Sequence, residues 1–198
     1  MAPFNDQLSS LAADIVAAYT QKPAESSVPT QVRLTDSERA QLGNGSKIYI
    51  NLSDRPEFKG YSQENLRIEN ISLKSFPIPV PAPPTPDIHI IVRHLGVSLL
   101  TIGGDTYGFR HLGYNGDSMI TWTSIVDVKT GEISNAIPSP GAVSMLLSQL
   151  RTPSDKFMLF GSPGLNATLE ISVEPKGLKM QLTDVTLTVE YSFDHTAT

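Results

Sequence analysis

The chain has 198 residues, 39% hydrophobic and 18% charged, with a formal net charge of −5 and no cysteine. Those values suit one globular domain that can bury a core without covalent staples. They exclude disulfides, thiolate metal sites and a cysteine nucleophile, and an acidic chain with no Lys/Arg cluster argues against nucleic acid as a partner.

No apolar run approaches the roughly 20 residues of a membrane helix, so no membrane span is expected. The start of the chain has neither a basic n-region nor a long apolar h-region, so no secretory signal is expected. Asn51, Asn70 and Asn166 head glycosylation triplets, a pattern too common by chance to carry weight.

In chain order, Leu8, Leu11, Ala12, Ile15, Val16 and Tyr19 make one apolar stripe at helical spacing, which predicts a helix over 5–20 capped by Asn5 or Asp6. Residues 21–34 are polar with two prolines and read as a connector. Thr35-Asp-Ser-Glu38 is a capping box, so a short helix is expected near 36–42, closed by Gly43. Ile48, Ile50 and Leu52 alternate as in a strand. Leu66 to Phe76 reads as a strand whose apolar phase slips by one at Glu69-Asn70.

Residues 76–86 hold six prolines in eleven positions. Each removes a ladder donor, so the segment is expected as polyproline II, about 30 Å long at roughly 3.1 Å per residue. It serves either as a stiff crossing between sheets or as a ligand for a proline-reading domain. Residues 87–102 predict one or two strands broken near Gly96, and Gly103-Gly-Asp105 is a hairpin signal. Further strands are expected around Tyr107–His111, Met119–Val128, Lys156–Phe160 and Leu169–Val173, with a helix over Val143–Leu150. The last strand, 179–193, alternates Val185, Leu187, Val189, Tyr191 and Phe193 with polar residues. Its phase slips at Thr183-Asp184, matching the slip near Glu69.

Two long strands with one matching slip predict an all-β fold in which these strands bend from one sheet toward the other. The expected architecture is an antiparallel two-sheet β-sandwich, jelly-roll-like, with an N-terminal α-helix and one short helix. The expected division is 1–32 as helix and linker and 33–198 as sandwich.

Chemistry is harder to find. His89, His94, His111 and His195 lack zinc spacing, and a separation of five along a strand puts His89 and His94 on opposite faces. Gly161-Ser-Pro-Gly164 lacks the nucleophile elbow, and Gly103-Gly-Asp-Thr-Tyr-Gly108 is followed by no Lys-Ser/Thr pair. Asp105, Asp117, Glu132 and Asp184 are scattered over turns. A non-enzyme without catalytic residues, cofactor or metal is expected. The aromatics Tyr107, Phe109, Tyr114 and Trp122 cluster in sequence. They read either as core or as a platform for a glycan or a protein partner.

Three stretches, taken in order, resemble the C-terminal end of the A subunit of bacterial insecticidal toxin complexes (Tc toxins). They are Arg33-Leu-Thr-Asp-Ser-Glu-Arg-Ala-Gln-Leu-Gly-Asn-Gly45; Lys47–Leu52 with Leu66–Leu73; and Phe157–Gly164 through Leu169–Ile171 to Leu182-Thr-Asp-Val-Thr-Leu-Thr-Val-Glu-Tyr191. The chain departs from that family in lacking an acidic residue between Phe160 and Gly161. It also carries Asn166-Ala-Thr168 where a tryptophan is usual. The resemblance implies a non-catalytic β-sandwich that binds the β-propeller of the B–C cocoon and is secreted as part of that complex. It adds Phe160 to Tyr107, Phe109, Tyr114 and Trp122 as expected ligand or partner contacts. The competing expectation is a carbohydrate-binding jelly roll, whose closing strand has a similar Asp-Val figure.

Overall fold

The computed structural model describes residues 25–59, 66–78, 82–102, 104–110, 120–135, 139–140 and 163–193. The helices expected over 5–20 and Val143–Leu150, and the strand over Lys156–Phe160, lie outside them.

The chain folds as a mostly-β sandwich of two antiparallel sheets. The smaller sheet has three strands: β1 (Glu25–Arg33), β3 (Arg67–Ser75) and β10 (Thr186–Phe193), with β10 in the centre. The larger has β2 (Ile48–Asn51), β9 (Asn166–Glu174), β4 (Asp87–Ile102), β6 (Ile120–Asp127) and β7 (Ile133–Asn135) side by side. In addition, β5 (Asp105–Arg110) pairs with β4, and β8 (Ser139–Pro140) pairs with β6. One helix, α1 (Asp36–Gly43), follows β1. Its capping box forms as the sequence requires: the Thr35 hydroxyl accepts from the Glu38 N–H, and the Glu38 carboxylate accepts from the Thr35 N–H at 2.8 Å.

The connector reading of 21–34 is corrected over 25–33. Those residues are β1, paired with β10 through Val28↔Tyr191 to Arg33↔Thr186, so the sandwich begins upstream of residue 33. Proline misled the reading because a central strand cannot hold it, whereas β1 is an edge strand, where Pro29 is tolerated. Downstream of Pro29 the pattern is an ordinary alternation, with Val32 and Leu34 buried and Gln31 and Arg33 exposed.

The slip near Glu69 is a β-bulge. Ile68 pairs with Tyr191 and Asn70 with Glu190, which leaves Glu69 without a partner residue. Its carboxylate accepts from the Ser192 hydroxyl at 2.6 Å. The other slip falls outside regular structure: the expected strand 179–193 is strand only from Thr186, and Leu182 and Val185 are buried in an irregular lead-in. Neither strand crosses between sheets. Both lie in the smaller one, with Ile71 opposite Val189, and Ile71 and Val185 share a single apolar cluster with Leu52, Ile90, Val126 and Leu169.

The sheets are stitched together along β3. At one end the Ile68 N–H donates to the Pro163 carbonyl (2.8 Å) and the Leu165 N–H to the Leu66 carbonyl (2.9 Å). At the other, the Leu73 N–H reaches Asn135 Oδ1 (3.0 Å) and Ser124 Oγ (3.2 Å).

The break expected near Gly96 is a change of neighbours within one strand. Gly96 has φ 91°, and β4 continues through it. Before it, β4 pairs with β6 and β9; after it, with β5. A hairpin continuing from Val97↔Arg110 would bring Arg93 opposite residue 114, yet Arg93 pairs with Thr121. β5 and β6 thus do not share one continuous hairpin register against β4. His94 is buried with Nδ1 accepting the Gly96 N–H (2.9 Å), while His89 sits half-buried on the opposite face, as the spacing requires.

Candidate functional site

The feature that stands out is the outer face of the larger sheet. Antiparallel register places Tyr49 beside Glu170, Glu170 beside Arg93, and Arg93 beside Thr121, one residue from each of β2, β9, β4 and β6 in a transverse row. Glu170 is buried on a face that otherwise looks to water, because its neighbours lie over it. Lys47 Nζ (2.9 Å) and Arg93 Nη1 (3.2 Å) donate to Oε1, and the Tyr49 hydroxyl (3.3 Å) donates to Oε2. Burial pushes the Glu170 carboxyl pKa up; the Lys47 hydrogen bond and the Lys47 and Arg93 charges outweigh it, and the net shift is downward. Tyr49, whose hydroxyl reaches across to the neighbouring strand, remains 59% exposed.

From Arg93 the outward column of β4 continues through Leu95, Val97 and Leu99. These are 40%, 49% and 42% exposed, and together with Tyr49 they are the large hydrophobic residues that the described structure leaves open to water. Strand geometry produces the column: residues two apart share a face, and in Leu95-Gly-Val-Ser-Leu-Leu100 the odd positions face out while Ser98 and Leu100 face in. Opposite Leu99 lies Gly108, which has no side chain to cover it. Beneath Leu99 a cavity of about 30 Å³ between Phe58, Leu66 and Leu165 has room for one water. An open groove of about 430 Å³ runs between α1 and residues 180–182, but the Arg39 guanidinium beside it is already engaged by Asp36 and the Leu34 carbonyl.

Compared with family models, curated proteins and solved structures, this chain matches none. The site is therefore built from its own geometry.

That geometry redistributes the residues expected from the sequence. Trp122 is 2% exposed and lies in the apolar cluster, on the inward side of β6 opposite Val92. Tyr107 is half-buried on β5, opposite the buried Leu100. Phe109 is in β5 opposite Ser98. Tyr114 and Phe160 lie outside the described residues. The structure thus does not present Trp122 as a surface ring, and it brings forward Tyr49, Leu95, Val97 and Leu99 instead. The overlooked signal was a switch of apolar parity along β4, from the even Ile88, Ile90 and Val92 to the odd Leu95, Val97 and Leu99, while the even positions stay buried. A strand with water on one face ordinarily alternates. Among the described residues no three His, Asp or Glu side chains group as metal ligands, and no helix is long and apolar enough to cross a membrane.

Proposed function

We propose that this chain is a non-enzymatic protein–protein assembly module that docks a partner on the outer face of its larger sheet. The observation that carries the reading is the column Leu95, Val97 and Leu99, an apolar strip along one strand that the described residues leave open to water. A strip of that kind loses free energy to solvent unless a partner covers it. The ordered resemblance of residues 33–75 and 157–193 to the Tc-toxin A subunit supports the same class of function and names a β-propeller as the partner to try. The test is a titration of a toxin-complex propeller subunit against the wild type and Val97→Asp. Micromolar binding lost in the variant supports the reading, and no binding by the wild type counts against it.

A second reading, a glycan-binding module, is favoured by Tyr49. Its exposed ring is held at the hydroxyl by Glu170 and flanked by Asn51, whose amide donates to Asn166 Oδ1 at 3.0 Å. An aromatic ring among fixed polar groups suits sugar stacking. A glycan array on wild type and Tyr49→Ala decides it: signal that vanishes in the variant supports a lectin, and silence on both removes the reading.

A further inference from the structure

We infer that the outward column of β4 takes an extended partner segment that carries a carboxylate at one end and alternating apolar side chains behind it. This rests on the reading of that face as the assembly surface and specifies the partner's chemistry.

Charge is the first argument. Lys47 and Arg93 converge on Glu170, two cations on one carboxylate. Their accessibility is unequal: the Lys47 and Arg93 side chains are 46% and 43% exposed, that of Glu170 only 8%. What this end of the column shows to a partner is therefore positive, although the whole chain is negative. Lysine and arginine each hold more N–H groups than the bond to Glu170 uses, so an incoming carboxylate can bind them without displacing Glu170. Among the described residues, none of the register partners of the strip is acidic. Past Glu170, the exposed positions of β9 toward that end are Thr168 and Asn166, and the register partners across the strip on β5 are Arg110, Gly108 and Thr106.

Spacing is the second argument. Arg93, Leu95, Val97 and Leu99 are alternate residues of one strand, so they recur about every 7 Å. Alternate side chains of an extended segment repeat at the same interval, so each apolar group meets one apolar neighbour while the carboxylate meets Arg93. A helix offers apolar residues at 3–4-residue spacing on a curved face and matches only one or two of these positions. Gly108 leaves the far flank of Leu99 open for the last side chain.

The experiment uses the full chain with assigned Leu and Val methyls and two blocked synthetic octapeptides of alternating serine and leucine. One is headed by glutamate and the other by lysine. The expected result is that the glutamate peptide shifts the Leu95, Val97 and Leu99 methyls and binds at least tenfold more tightly than the lysine peptide. That preference should shrink as salt is raised, and it should be lost in Lys47→Gln/Arg93→Gln. The salt series on wild type needs no variant to fold, and far-UV circular dichroism checks the double variant. Equal binding of both peptides at the strip overturns the carboxylate while leaving the assembly surface standing. Shifts elsewhere, or none up to millimolar peptide, overturn the inference outright. The propeller titration judges the underlying reading separately.

Discussion

Leu73 and Asn135, one in each sheet, pair through the Asn135 side-chain amide as two backbones would across a ladder. The Leu73 N–H donates to Asn135 Oδ1 at 3.0 Å, and Asn135 Nδ2 donates back to the Leu73 carbonyl at 3.4 Å. One side-chain amide thereby covers both backbone groups at the open edge of β3. It also accepts from the Ser124 hydroxyl at 2.6 Å, which ties it to β6. An uncovered edge is a template for unwanted pairing.

Asn135→Ala should destabilise the fold by about 1–2 kcal/mol, the loss expected when a backbone donor keeps only a weaker partner. Asn135→Asp retains the acceptor and should lose less. Urea midpoints of the three proteins test this, and a midpoint in the alanine variant equal to wild type would refute the role.

Close backbone approach makes a side chain costly at two glycines. A methyl at Gly164 would sit 2.6 Å from the Leu99 carbonyl oxygen and 2.9 Å from Leu100 Cδ2, and one at Gly43 would overlap the Met180 carbonyl. Either alanine variant should lose about 1–3 kcal/mol through forced displacement. At Gly104 nothing lies within 4 Å, but φ is +84°, so alanine there should cost only about 1 kcal/mol of backbone strain. Thermal melts should rank Gly104→Ala as the mildest; the reverse order would contradict the packing.

Trp122 and Tyr49 should separate stability from surface function. Trp122→Ala removes a buried ring from the core and should cost about 3–5 kcal/mol. Tyr49→Ala leaves the core intact but removes one hydrogen bond to Glu170, and should cost only about 1 kcal/mol. Denaturation curves measure both, and a Trp122→Ala protein as stable as wild type would mean the ring is not core.

Acid should loosen the smaller sheet. Asp184 accepts from Ser75 Oγ (2.6 Å) and Thr186 Oγ1 (3.2 Å) and pairs with Arg33 Nε (3.0 Å), joining the ends of β3, β10 and β1. The Ser75 hydrogen bond first, against the opposing effect of burial, and then Thr186 and Arg33 hold its carboxyl below the ordinary aspartate range. Glu170 and Glu38 shift the same way; at Glu38, burial opposes the shift and is outweighed by the Thr35 and Arg55 hydrogen bonds. A folded pKa below the unfolded one gives stability that is complete above the unfolded value and lost as pH falls through the folded value. Stability should therefore hold from pH 7 down to about 5 and fall below about 4. Asp184→Asn should start lower at pH 7 and fall less steeply. Urea midpoints across that range check it, and identical slopes would rule Asp184 out.

Local pattern alone determined a good deal of this protein. The β-sandwich class, the capping box at Thr35, the bulge at Glu69 and the opposed faces of His89 and His94 all follow from periodicity or from bonds spanning three residues, which neighbours in the chain decide. Other features depended on partners far away in sequence. Residues 25–33 are a strand because β10 lies beside them, which no local preference of a proline-bearing segment reveals. Trp122 is core, and Leu95, Val97 and Leu99 are surface, because a second sheet covers one face of β4 and β6 and, among the described residues, the other face is left to water. Glu170 is buried because Tyr49, Lys47 and Arg93, from 77 to 123 residues away, converge on it. Which face of a strand meets water is a property of the assembled layers, and only the tertiary structure decides it.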